Sequence, residues 1–250
     1  MISFLSYLYF ICIVLIARLF FQFRDDPITF KHTIYKTIIE SIALFIFDWN
    51  YWPLIIFLVV VILNVLNYQI EKRVSQLKLS RLIFLLLYLT LFSFFFSPKI
   101  NIHFNPGLLN SLLNLESNFI LIAFLKRVDW SYFFMASSGL LLVLNEANIF
   151  IRYLMESLHL VPHLKLRKKT EEIDTQEYNR GRVIGILERI LIYFFVLNFH
   201  LAAVGFVLTA KGITRFKELE NREFAEYFLI GTLLSSIISG AIALLIRGIT

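Results

Sequence analysis

Residues 54–66 read LIIFLVVVILNVL and residues 190–208 read ILIYFFVLNFHLAAVGFVL. Neither stretch contains Asp, Glu, Lys or Arg, and neither alternates apolar with polar residues as the strands of a closed membrane barrel do. A continuous apolar run reads as a helix in lipid, where each backbone N–H and C=O must be satisfied within its own segment. Working outward, long and mainly uncharged runs cover 2–23, 52–70, 82–96, 130–153, 183–210 and 228–246. The hydrocarbon core of a bilayer takes about 20 residues of helix, with roughly 17–25 as the working range. Composition agrees, with 58% hydrophobic and 17% charged residues and 27 Phe against 9 Gly. A soluble domain is nearer half apolar and about a quarter charged. The expected fold is therefore all-α, a polytopic transmembrane helical bundle.

The first run is expected to be a retained span. No basic residue precedes it, and Arg24-Asp25-Asp26-Pro27 follows it in place of a small-residue cleavage site. Cys12 is the single cysteine and lies inside that run, so an intramolecular disulfide and a thiolate metal cluster are excluded. The net charge of +6 is the ordinary result of Lys and Arg gathered in cytoplasmic loops and does not point to nucleic acid. No cofactor is expected, and no metal site: His159 and His163 have helical spacing but lack a third ligand.

Loop charges give the sidedness. Arg24, Lys31 and Lys36 follow the first run. The segment 48–53, DWNYWP, has no basic residue and carries interface aromatics, and Lys72, Arg73, Lys78 and Arg81 come next. Positive, neutral, positive fits loops that alternate inside, outside, inside, with 33–47 as a short crossing. Residues 108–125, with Asn110, Asn114, Glu116 and Asn118, are expected not to cross. The count is then about seven spans: an N-terminal helical half (1–155), a basic cytoplasmic loop (156–182) and a C-terminal hairpin (183–250). One loop conflicts with this order. Residues 211–222 hold four basic residues and would lie outside, unless the chain re-enters near Asn198-Phe199-His200.

A charge within a span costs about 2.5–3.5 kcal/mol on insertion scales, so it needs a partner or a functional reason. Taken as one helix, 182–211 aligns Arg182, Arg189, Tyr193, His200 and Lys211 on one line. Asn198, Ala202, Gly205 and Thr209 form the opposite, close-packing face. Depth along neighbouring spans predicts a buried network of Glu146, Arg152, Glu188 and Arg189. It also predicts Lys211 or Arg215 paired with Glu226 across the last turn, and His200 as an interior, hydrogen-bonded histidine. Gly231, Ser235, Ser239 and Ala243 repeat every fourth residue as a packing stripe.

The stretch GRVIGILERILIYFFVLNFHLAAVGFVLTAKGITRFKELENREFAEYFLIGTLLS (181–235) resembles the C-terminal part of a bacterial integral-membrane family, domain of unknown function thirty-three zero seven. The resemblance is carried by Gly181-Arg182, Gly185, Leu187-Glu188-Arg189, Ala210-Lys211, Arg215-Phe216, Glu226-Tyr227 and Ile230-Gly231-Thr232-Leu233. In the N-terminal half, Arg18 to Gln22 stands in place of the family's His and Asp-Phe-x-x-Gln pattern, with the Asp lost. His32 and Tyr35 resemble a His-x-x-Tyr element, and Asn64 and Asn67 stand where a His and an Asp are usual. The resemblance implies a bacterial inner-membrane protein and supplies no activity. Three readings follow, in this order: a non-catalytic membrane module acting through a protein partner at 164–179 or a second copy of itself; a small-solute or ion transporter or channel using the polar stripe; and a lipid-modifying membrane enzyme.

Overall fold

The computed structural model describes residues 2–21, 26–100, 102–108, 111, 127–158 and 175–249. Among these, helices make the fold, and the one β interaction is an isolated antiparallel bridge between Phe47 and Phe104. Five helices are long and apolar enough to cross a membrane: Phe4–Phe21, Tyr51–Glu71, Leu77–Phe95, Trp130–Ser157 and Phe224–Ile249. The other two expected spans take different forms, described below. Residues 108–125 lie mostly outside the described residues, as do 159–174 with the core of the basic loop. The chain forms two compact units, Met1–Leu141 and Leu142–Thr250.

The first unit contains α1 (Ile2–Arg18), α2 (Phe30–Ile42), α3 (Tyr51–Glu71), α4 (Leu77–Phe95) and α5 (Trp130–Leu141). The side chain of Asn50 caps α3 by accepting from the Trp52 N–H at 3.1 Å, and Pro53 sits in the first turn, where no intrahelical donor is needed. α1 packs on α5, where the Cys12 thiol donates to the Phe134 carbonyl at 3.2 Å. One end of the unit is an aromatic core of Phe10, Phe47, Phe92 and Phe96. The bridge at Phe47 pins residues 102–105 to it: the Asp48 N–H donates to the His103 carbonyl (3.0 Å), and the Asn105 N–H to that of Ile46 (2.9 Å).

α2, extended by a 3-10 turn at Ala43–Ile46, is turned inside out. Phe30, Ile34, Ile38, Ile42 and Phe45 are exposed along one face, while Thr33, Lys36 and Glu40 are buried along the other. Spacings of three and four residues place each set on one side. In water this polarity would be unstable. Against lipid it is the ordinary arrangement, apolar residues outward and polar residues inward.

The second unit starts with a π-helical turn, Leu142–Glu146, inside the long segment Trp130–Ser157. It continues with α6 (Ala147–Ser157), α7 (Thr175–Leu197), α8 (Leu201–Thr214) and α9 (Arg222–Ile249). The end of the expected loop 156–182 is thus the first two turns of α7. The expected single helix over 182–211 is overturned. The Asn198 side-chain amide donates back to the Phe194 carbonyl (2.8 Å), Phe199 adopts φ +62°, and the His200 N–H turns to the Phe195 carbonyl (2.7 Å). An αL residue just past a helix end is the usual stop signal, most often glycine; here an Asn that bonds its own helix end does the same without one.

α8 packs back along α7 as a hairpin, and α9 packs on α7 and α6. The small-residue stripe of α9 is the packing face: Ser235, Ser239 and Ala243 are buried, and Gly231 faces the Met155 sulfur. The expected packing face through Asn198, Ala202, Gly205 and Thr209 is instead exposed, because the break swings α8 off the line of α7.

Candidate functional site

The densest cluster of polar chemistry lies in the first unit, in two layers along the buried face of α3. Asn64, Asn67 and Glu71 recur on that face at three- and four-residue steps, all at most 2% exposed. In the inner layer, Lys36 Nζ on α2 donates to Asn64 Oδ1 (2.5 Å) and to the Tyr88 hydroxyl of α4 (3.3 Å), and it lies 3.3 Å from Glu40 Oε1. The same ammonium stands over the Tyr88 ring, 4.6 Å from its centroid. Asn64 Nδ2 donates to Glu40 Oε2 (2.7 Å) and to Thr37 Oγ1 (3.1 Å), and the Tyr88 hydroxyl donates to Asn64 Oδ1 (2.8 Å). Each group therefore engages charge or hydrogen-bonding capacity on a neighbouring helix, the condition for burying an ion pair without a large penalty.

The outer layer is built on Glu71 and Arg81. Arg81 Nε and Nη2 each donate to the Glu71 carboxylate at 3.1 Å, a fork that matches guanidinium to carboxylate. Glu71 also accepts the Ile28 N–H (2.9 Å), and Arg81 donates to the Asp26 carbonyl (2.8 Å), which fastens the chain entering α2. Arg18, fully buried at the end of α1, donates to the Arg81 carbonyl (2.8 Å), and the ring of Phe21 lies under both guanidiniums. Between the layers, Asn67 Oδ1 is buried with no hydrogen-bond partner among the described residues.

The sequence singles out none of these residues for a role, and Arg18, Asn64 and Asn67 enter only as positions of a family pattern. Lys36 and Arg81 read as loop charges beside apolar runs, and Glu40 and Glu71 carry no reading of their own. The signal that finds them is the i, i+4 series Phe30, Ile34, Ile38 and Ile42, which leaves Lys36 and Glu40 on the other side of α2.

The predicted residues all fall in the second unit. Arg189 is buried on α7 at the π-turn, where Nε donates to the Val143 carbonyl (3.3 Å) and Nη2 reaches Asn148 Oδ1 (3.5 Å). Glu146, buried in the same turn, accepts from Asn145 Nδ2 (2.9 Å). The extra residue of a π-turn opens the i to i−4 ladder, and Arg189 takes up one of its carbonyls. Arg152 is half-buried on α6. Glu188 pairs with Lys211 across the α7–α8 hairpin, and Lys211 also lies against the Phe228 ring.

Glu226 does not meet Lys211 or Arg215. It pairs with Arg222 one turn back on the exposed start of α9 (2.9 Å), while Arg215 pairs with Glu218 (2.7 Å). Partners on the same turn are nearer than those across it, and Lys211 is already committed to Glu188. His200 is exposed at the hairpin tip rather than interior. There Arg247 of α9 donates to the Leu197 carbonyl (3.2 Å) and stacks over the Phe199 ring (3.6 Å to the centroid). His159 and His163 lie outside the described residues. Compared with known protein families, curated proteins and solved structures, the chain matches none.

Proposed function

We propose that this chain is a multi-pass protein of a bacterial inner membrane that works as a non-catalytic module, through a protein docked on 164–179 or through a second copy of itself. The observation that carries this reading is the filling of the inner ionic layer. Lys36, Glu40, Asn64 and Tyr88 hold one another at contact distance, with Glu40 Oε1 met by the ammonium at 3.3 Å and by no hydrogen bond, as structural staples do, whereas a reaction centre keeps a position open for substrate. The pairs hold the polar face of α2 inward so that its apolar face can meet lipid. The bacterial inner-membrane location rests on the resemblance of 181–235 to that family alone.

Threading follows from the hairpin. α8 packs back along α7 from a tip that meets Arg247 near the end of α9. The Glu188–Lys211 pair brings the start of the hairpin and its end together. In place of seven crossings we count six, made by α1, α2, α3, α4, the α5–α6 segment and α9, with α7–α8 entering and returning. The basic residues of 211–222 then join Arg182 on the inside, as the charge rule requires.

The test is affinity purification of the full chain and of a version shortened within 164–179, together with ion flux in proteoliposomes. A defined partner, or a self-association, lost on shortening is expected, with flux no greater than that of empty vesicles. Flux that Glu40→Gln abolishes in a folded protein would overturn the reading in favour of transport. The unpartnered Asn67 Oδ1 is the observation that favours this second reading.

A further inference from the structure

We propose that the inner layer is a monovalent-cation site that the chain fills with its own ammonium, Lys36 acting as a tethered cation. Three oxygens surround Lys36 Nζ within 3.3 Å: Asn64 Oδ1, the Tyr88 hydroxyl and Glu40 Oε1. They come from three different helices, and all three residues are at most 2% exposed. One carboxylate, one amide oxygen and one hydroxyl form a hard-oxygen donor set of net charge −1. That set suits Na⁺ or K⁺, and it lacks the several carboxylates that Ca²⁺ sites collect. An ammonium group and K⁺ are close in size and charge, so the same oxygens serve either.

The geometry of the supporting groups agrees. Asn64 is oriented by its own amide, which donates to Glu40 and Thr37, so its carbonyl oxygen is held toward the cation position whatever occupies it. The Tyr88 hydroxyl donates its proton to that carbonyl, which turns an oxygen lone pair toward the ammonium. The Tyr88 ring adds a cation–π face. Asn67, about one helical turn along the same buried face of α3, offers a further oxygen that has no partner among the described residues. The three hydrogens of the ammonium thus meet three oxygens on three helices, a set that stays in place when the tether is removed.

Emptying the site of its tether is the test. The purified chain and Lys36→Met are unfolded thermally in choline, sodium or potassium chloride at constant ionic strength, read by tryptophan fluorescence. The unsubstituted chain should give one midpoint in all three salts. Lys36→Met should be strongly destabilised in choline. Once Na⁺ or K⁺ exceeds the dissociation constant, each tenfold rise in its concentration should raise the folding equilibrium constant about tenfold. Adding Glu40→Gln to Lys36→Met should remove that dependence. If Lys36→Met does not accumulate, Lys36→Gln puts the same question with a polar head retained. A response to cation no different from that to choline would overturn the proposal. So would failure of both variants in every salt while the double variant accumulates, since free cation then cannot stand in for Lys36.

Discussion

Glu71 and Arg81 are joined by two 3.1 Å bonds and are at most 3% exposed, so each is the other's charge partner in an apolar unit. Removing one member of a buried pair costs about 3–5 kcal/mol, because it strands the partner's charge, whereas replacing both with apolar residues is often near neutral. Glu71→Gln should therefore lower the thermal midpoint of the purified protein far more than the double replacement Glu71→Leu with Arg81→Leu does; equal losses would show that the pair is not coupled. A second residue-scale test concerns Phe199. Its φ of +62° lies in the region that β-branched residues tolerate least. Phe199→Val should cost about 1–2 kcal/mol, read by chemical unfolding in detergent. Phe199→Gly should cost less, since relief of the backbone offsets the lost stacking of Arg247.

The helices were legible in the sequence where length and composition alone decide. The runs at 2–23, 52–70, 82–96, 130–153 and 228–246 each fall on a helix that can cross a membrane, because an unbroken apolar run has no other stable form in lipid. The break at 198–200 was legible only through the basic residues of 211–222, which called for re-entry near Asn198-Phe199-His200, and not as a helix end. Neither Gly nor Pro marks it, and an Asn within an apolar run is equally compatible with a continuous helix. Angular alignment of Arg182 with Lys211 assumed that continuity and lost its meaning at Phe199. α2 was half legible: its length is short for a span, and its polarity declares itself only when both faces are read together. Spin labels placed along α2 in lipid nanodiscs test that reading. Oxygen accessibility should peak at Ile34, Ile38 and Ile42 and fall at Thr33 and Thr37. High accessibility of Ile34 and Ile38 to a water-soluble nickel reagent instead would place α2 outside the hydrocarbon.

Across the whole molecule, the candidate residues named from the sequence and the densest buried network fall in different units. Depth counting could place Glu188 and Arg189 at the right level of α7, but it could not say which neighbour each would face. That depends on a hairpin turn and a π-turn, both set by local backbone bonds rather than by composition. The charges of the first unit were hidden by the opposite error, since a Lys or Glu near the end of an apolar run looks solvated until the packing of α2 against α3 and α4 is known. The threading joins these scales, because it requires the α7–α8 hairpin to return to the side it left. Cysteine labelling in sealed vesicles of known orientation, in a Cys12→Ser background, tests it most directly at two positions. Lys217→Cys should react only with reagent supplied from the cytoplasmic side, and Gly248→Cys only from the opposite side. Lys217→Cys labelled from outside with Gly248→Cys labelled from inside would contradict the hairpin and restore a single crossing by 182–211.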